Sequence, residues 1–404
     1  MFLHKSLDIC NILYIITVKM INKAYKYRIY PTEEQKVTLA KTFGCVRFVY
    51  NTALKAKTDA WSNEQRNMTY VQTSALLTEI KAKEEFIWLN EVSSVPLQQS
   101  LRNLQTAFKN FFDKRASYPK FKSKHDTYQS AKYVNTAYTF RDGVLKLAKD
   151  KEPLDVRWSR QLPKAAKLTS ITISKDSSNR YFVSIQVEDE VAKKKKLKTA
   201  IGIDLGVESF LATSNGDKVK SINVFRKSQA KLAKYQRRLA KKVKGSSGYQ
   251  RAKLKVAKVH TKITDVRKDF LHKLSTKLIN ENQVICLEDL RVSNMVKNRR
   301  LSKVISDQGW FEFTRQLQYK ADWYGRQVVF VDPYFPSSKR CFECGHVAQR
   351  LPLNIRKWKC SACNHEHDRD INASKNILAA GLAVLANGAN VRRNPTNVEL
   401  SNSQ

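Results

Sequence analysis

The chain has 404 residues, with 74 Lys+Arg against 36 Asp+Glu, a formal net charge of +38. That length predicts two or three domains, and a composition of 42% hydrophobic and 10% aromatic residues excludes a disordered tail protein. Twelve glycines and nine prolines exclude collagen-like and low-complexity classes, and so large a positive charge calls for a polyanion, so nucleic acid rather than a membrane is the expected partner.

Residues 10–18 (CNILYIITV) are apolar but too short to span a bilayer. Asp8 and the lack of a small-residue cleavage site make a poor signal peptide. A strongly basic pattern starts at Met20, so residues 1–19 are expected to be an upstream-start extension or a loose arm, with a short strand as the alternative. Residues 23–30 alternate apolar and basic positions and predict a strand that Pro31 ends. Thr32 with Gln35 spells a helix-opening capping box. Gly44 is expected to separate that helix from a second at Val46–Lys57, a weak helix-turn-helix pattern that ordinary helical hairpins share.

Residues 70–115 read as helical with a break at Pro96, and Leu97, Leu101, Leu104, Phe108, Phe111 and Phe112 form a core stripe. The next stretch interleaves Tyr118, Lys120, Phe121, Lys122 and Lys124, a pattern that suits base stacking and phosphate contact as well as it suits a solvated loop. Residues 170–174 and 181–187 have period two and flank the turn 176–179, so they predict a hairpin. Lys193 to Lys196 mark a linker.

Three strands are expected over 199–225, followed by a basic helical hairpin. From Arg226 to His272 there are 16 Lys+Arg and two acids, a net +14, with a break at 245–248. Charges of one sign cannot be explained by i,i+4 pairing. Lys234, Arg237, Arg238, Lys241, Lys242, Arg251 and Lys255 are therefore expected to face phosphate, while Val259, Ile263, Val266, Phe270, Leu274 and Leu278 turn inward. Strands at 284–290 and 327–331, with helices at 310–324 and 371–385, complete the pattern.

Two features carry chemistry. Cys341, Cys344, Cys360 and Cys363 have C-x2-C-x15-C-x2-C spacing, which predicts a closed tetrahedral zinc site holding the fold. His346, His365 and His367 lie nearby as less favoured alternative ligands. Asp204 sits inside an apolar strand, where an unpaired carboxylate is costly. Glu288 ends another, and Asp368 and Asp370 open the last helix, where either could serve as a cap. The element order predicts a mixed α/β, RNase H-like fold whose acids hold two Mg2+ ions for phosphodiester hydrolysis. An actin-like ATPase also opens with a DLG turn, but no second glycine-rich loop is present.

The blocks 202–206 (GIDLG), 287–290 (LEDL), the two CxxC pairs, 368–373 (DRDINA) and 27–32 (YRIYPT) together resemble the TnpB (OrfB) proteins of insertion sequences, relatives of type V CRISPR effectors. The resemblance implies an Mg2+-dependent, RuvC-like endonuclease that uses a transposon-encoded guide RNA to cut double-stranded DNA. By carry-over the catalytic acids are Asp204, Glu288 and Asp370, with Asp368 as fallback for the third.

It further implies a wedge barrel from 20–30 and 119–196, a helical recognition region over 31–118, and a nuclease domain from 197–336 and 365–386. A zinc ribbon would occupy 337–364 and a flexible tail 387–404. The protein would be cytoplasmic and nucleoid-associated in a bacterium or archaeon, and monomeric on RNA. Two rivals use the same residues: a transposase or recombinase acting without RNA, and a non-catalytic zinc-ribbon regulator of transposition.

Overall fold

The structure, a computed structural model, describes residues 18–126, 128–163, 167–299, 301–352 and 354–387. The expected N-terminal extension, as far as residue 17, and the tail from 388 lie outside these residues. The described chain forms two compact units, one from 22–189 with 229–262, the other from 18–21, 190–228 and 263–387.

In the first unit, β1 (Val18–Ile29) leads into α1 (Glu33–Glu64). Thr32 Oγ1 accepts from Gln35 N–H at 3.2 Å and Gln35 Oε1 accepts from Thr32 N–H at 3.0 Å, the reciprocal cap the sequence predicts. The break expected at Gly44 is absent, and α1 runs through it as one helix of 32 residues. Leu39, Phe43, Val46, Val49, Tyr50, Ala53 and Leu54 keep one buried stripe across the glycine. Burying each large apolar side chain contributes about 1.5–3 kcal/mol, against about 1 kcal/mol for a helical glycine, so packing wins.

α2 (Tyr70–Ala82) and α3 (Ser94–Phe112) follow. Pro96 lies in the first turn of α3, where its missing N–H costs nothing, so it starts a helix instead of breaking one. Leu97, Leu101, Leu104 and Phe108 are buried as expected, but Phe112 is 67% exposed and falls off the stripe. β2 (Gln129–Val134), a hairpin of β3 (Tyr138–Arg141) and β4 (Val144–Leu147), β5 (Val156–Arg157), β6 (Lys167–Lys175) and β7 (Tyr181–Ala192) complete the strands of this unit. The five-stranded sheet has the order β2-β6-β7-β1-β5. β6 and β7 pair antiparallel, the hairpin that the alternation at 170–187 predicts.

The second unit is built on β8 (Ala200–Leu205), β9 (Ser209–Thr213), β10 (Lys218–Lys220), β11 (Val284–Glu288) and β12 (Gln327–Val331). Their order is β10-β9-β8-β11-β12. The first three pair antiparallel, and β11 lies parallel to β8 and to β12. Between β10 and β11 run α4 (Val224–Ala240) and α5 (Ser247–Glu281), and between β11 and β12 run α6 (Val292–Met295), α7 (Ser302–Gln308) and α8 (Trp310–Tyr324).

Alternation along β8 and β11 sends Ile201, Ile203, Ile285 and Leu287 into a core with Leu271, Leu278, Phe313 and Leu317 from α5 and α8. Two short strands, β13 (Lys357–Lys359) and β14 (Glu366–Asp368), pair antiparallel. β14 runs directly into α9 (Arg369–Ala386). Cys286, Val329 and Val331 on the opposite sheet face pack against Ile377 of α9.

The inward stripe of α5 differs from expectation. Val266 is 41% exposed, while Leu271 and Ile279 are fully buried. The buried face includes the polar Ser275, whose Oγ donates to Leu271 O at 2.6 Å. A pattern counted on apolar residues alone steps around such a position and lands one residue early.

Candidate functional site

Strand register brings the first two acids together. Ile203 of β8 stands opposite Leu287 of β11, so Asp204 and Glu288, the next residues, lie side by side near the C-terminal ends of adjacent parallel strands. Neighbouring strands lie about 4.8 Å apart. Both acids follow by two residues a position that faces α9: Gly202 and Cys286. Side chains two apart share a sheet face, so both carboxylates also face α9.

The helix comes this close because of two glycines. A Cβ on Gly202 would meet Ser374 O and lie 2.7 Å from Leu378 Cβ, and one on Gly381 would lie 2.7 Å from Cys286 Cβ. Gly202 and Cys286 are partners across β8 and β11, so these contacts fix which face of α9 lies on the two strands. Asp370 is one turn before Ser374, about 5.4 Å along the axis. Asp204 is two residues beyond Gly202, about 6.6 Å along the strand. Asp204 feels the charge of Asp370 as well as that of Glu288, which brings the first turn of α9 to the end of the sheet that carries the acids.

Asp368 has a different role. It is the N-cap of α9, accepting from the N–H groups of Asp370 at 3.1 Å and Ile371 at 3.2 Å. The sequence left Asp370 as a possible cap; that role belongs to Asp368, which leaves Asp370 on the sheet-facing turn.

Electrostatics follow the geometry. Burial pushes the Asp204 carboxyl up to about 7, reinforced by the charges of Glu288 and then Asp370, with Arg369 and Lys218 opposing. Burial also raises Glu288, against the hydrogen bond that Ser337 donates. Burial works upward on Asp368 too, but the Lys218 hydrogen bond and the Ile371 N–H hold it below the usual range. Lys218 Nζ reaches Asp368 at 2.8 Å and Asp370 at 3.2 Å, and Arg356 reaches Asp370 at 3.2 Å and Glu208 at 3.0 Å. Lys218 and Arg356 escaped the sequence reading, because nothing in their local pattern separates them from the other 72 basic residues.

The four cysteines converge. Their Sγ atoms all lie within 4.8 Å of one another, with Cys341–Cys363 and Cys344–Cys360 both at 3.7 Å. Tetrahedral zinc with Zn–S near 2.3 Å needs sulfurs about 3.8 Å apart, so the set fits that ion. Each CxxC turn is followed by a left-handed residue, Gly345 at φ 76° and Asn364 at φ 61°, which turns the chain back over the thiols. None of the three histidines replaces a cysteine. His367 Nε2 lies 3.0 Å from Cys341 Sγ, His365 packs on the His367 ring, and His346 meets Ser361 Oγ at 3.2 Å. With zinc bound, Cys341 would be a thiolate that only accepts, and His367 would supply the proton of that contact.

The basic positions divide. Lys234, Arg237, Arg238, Lys241, Lys242, Arg251 and Lys255 are all exposed. None has an acidic partner among the described residues. In the aromatic loop, Tyr118, Lys120, Phe121, Lys122 and Lys124 are all exposed, but two of them are held by neighbours. Tyr118 packs edge-on against Phe108 and Phe111 and meets Thr58 Oγ1 at 3.0 Å. Lys122 is tied down: its N–H and C=O bond Asn51 at 2.8 and 2.9 Å, and its Nζ lies 4.1 Å from the Tyr50 ring centre. Burial holds its ammonium below the usual lysine range.

The chain is 52% identical over 375 residues to a "Putative RNA-guided DNA endonuclease" of Streptomyces pristinaespiralis, covering 93% of each chain. It belongs to the TnpB/OrfB_IS605 family. A second relative, "Putative RNA-guided DNA endonuclease InsQ" of Escherichia coli, is 36% identical over 394 residues, 92% of this chain and 95% of that one. The family model described as "Probable transposase" matches residues 182–299, a span that holds Asp204 and Glu288. The "Cas12f1-like, TNB domain" model matches 310–377, which holds the four cysteines and Asp370.

A "Helix-turn-helix domain" model matches 20–66, although the structure there has one strand and one unbroken helix. A cryo-EM structure of a Cas12f1–sgRNA–target DNA complex shares the fold, with TM-score 0.54 and 14% identity over 89% of this chain and 98% of that one. Among the described residues of this family member, no helix is long and apolar enough to cross a membrane.

Proposed function

We propose that the protein is a transposon-associated RNA-guided DNA endonuclease whose reaction centre is Asp204, Glu288 and Asp370. The observation that carries this reading is their convergence at one sheet edge, from two adjacent parallel strands and the first turn of α9. The antiparallel-then-parallel strand order, with acids on β8, β11 and the last helix, is what a RuvC-like, RNase H-type core requires. Relatives named as RNA-guided endonucleases support the same reading.

The carboxylates of Asp204, Glu288 and Asp370 are hard oxygen donors, the ligand type that Mg2+ takes. Bound there, divalent magnesium would supply the charge and Lewis acidity that phosphodiester hydrolysis needs. The chain's own residues would then orient that charge. Asp204 and Glu288 approach it from the sheet and Asp370 from the helix, while Lys218 and Arg356 hold Asp370 on its outer side.

Zinc in the four-thiolate site has a structural role, because four protein ligands leave no open position. The sheet of β1, β2, β5, β6 and β7 would form the wedge and α1–α3 the recognition helices. The exposed cations of α4, α5 and the turn between them would follow the backbones of guide RNA and double-stranded DNA target.

The test is purification of the full chain from cells carrying its element, with sequencing of co-purified RNA and cleavage of matching duplex DNA. One abundant RNA from the element's end, and cleavage lost in Asp204→Ala with that RNA retained, are expected. Undiminished cutting by Asp204→Ala refutes the assigned centre.

A further inference from the structure

We propose that Ser337 is a positioning residue for Glu288, held in place by the loop that leads into the zinc ribbon. The inference rests on the acid-centre reading above. Ser337 is buried, and its Oγ donates to Glu288 Oε1 at 2.5 Å. A carboxylate has several lone-pair sites, so one oxygen can accept from serine while the other stays open to a cation.

The serine is itself fixed. Asn376 Nδ2 donates to Ser337 O at 2.9 Å and to Arg340 O at 2.6 Å. Asn372 Nδ2 donates to Arg340 O at 2.7 Å, and its Oδ1 accepts from Phe342 N–H at 3.0 Å. Both asparagines are buried on α9, and Cys341, between Arg340 and Phe342, is the first of the four thiols.

A continuous set of hydrogen bonds therefore joins the ribbon's first cysteine turn, α9 and the Glu288 carboxylate. The same helix presents Asp370. Two of the three acids are thus oriented from one block, α9 with its clipped loop, and the third from β8. Partners of this kind, behind a metal ligand, change metal affinity or activity by about 10–100-fold when removed.

The test is titration of the full-length protein, free of nucleic acid, with Mn2+ followed by electron paramagnetic resonance. Zinc content is measured on the same samples. Ser337→Ala is expected to weaken Mn2+ binding by about 10-fold or more with zinc still bound. Ser337→Thr keeps the hydroxyl and is expected to restore most of the affinity. Asn376→Ala leaves the serine in place but frees its loop, and is expected to move affinity the same way, which provides a second route should Ser337→Ala not fold.

Unchanged Mn2+ affinity in Ser337→Ala and Asn376→Ala, beside loss of binding in Asp204→Ala, overturns the positioning role alone. If Asp204→Ala also binds Mn2+ like the parent chain, the acid-centre reading falls and the positioning role with it.

Discussion

Asp368 and Asp370 are separated by one residue, and the structure gives them opposite duties. Asp368→Asn keeps an N-cap acceptor, since asparagine caps helices about as well as aspartate. What it loses is the pair with Lys218, whose side chains are 32% and 26% exposed. A pair that exposed contributes less than about 1 kcal/mol. Asp368→Asn should therefore melt and cleave close to the parent chain, while Asp368→Ala, which removes the cap, should lose about 1 kcal/mol of stability.

Asp370→Asn is also isosteric and leaves the cap intact, yet it removes one of the charges that Asp204 feels. If Asp370 is a metal ligand, cleavage should fall by more than about 100-fold, beyond the 10–100-fold typical of an outer partner. Its stability should stay within about 1 kcal/mol, because the lost pairs with Lys218 and Arg356 are partly exposed and repulsion toward Asp204 is relieved. The assay is single-turnover cleavage by the RNA-loaded protein, with thermal melting on the same preparations. Loss of cleavage in Asp368→Asn with retention in Asp370→Asn would mean that the helix register deduced from Ser374 and Gly202 is wrong.

Three further outcomes follow from the same geometry. The Asp204 carboxyl ionises near 3.8 when unfolded and near 7 when folded, so the folded state holds an extra proton between those values. In EDTA, stability should fall as pH rises from about 4 to 7, by at most roughly 4 kcal/mol, and denaturant melts should lose this slope in Asp204→Asn or with added Mg2+. Replacing Lys234, Arg237, Arg238 and Lys241 by alanine should lower the slope of log affinity against log salt by about 3, as filter binding across a salt series would read; an unchanged slope would remove these residues from the phosphate contacts. Gly202→Ala puts a methyl into Ser374 O and Leu378 and should cost about 1–3 kcal/mol, with cleavage reduced more than stability alone accounts for, because α9 carries Asp370.

Much of the proposed centre was legible because it rests on local rules. Asp204 stood out as a charge in an apolar strand, and the cysteine spacing has few meanings other than zinc. The elements around both acids came from period two and period 3.6. What was not legible depends on distance through space. Ser337 and Glu288 are 49 residues apart in the chain, and Lys218 and Asp368 are 150 apart. No periodicity reports such pairs. The Gly44 break failed for a related reason, since a glycine's local preference is small against a stripe of side chains buried by tertiary packing.

The third acid was ambiguous in sequence because capping and metal binding ask for the same residue type at the same helix end. Gly202 and Gly381 favour Asp370. They fix which face of α9 meets β8 and β11, and only one of the two acids lies on that face. The charges then explain each other. Asp370 pairs with Lys218 and Arg356, whereas Asp204, buried and beside Glu288 and Asp370, is opposed in part by the charges of Arg369 and Lys218. Burial, reinforced by these two acidic neighbours, keeps the proton on Asp204 up to about pH 7. If the proposed centre takes up Mg2+, that proton should leave as the cation binds, so proton uptake or release during a Mg2+ titration reads the placement of Asp204 directly.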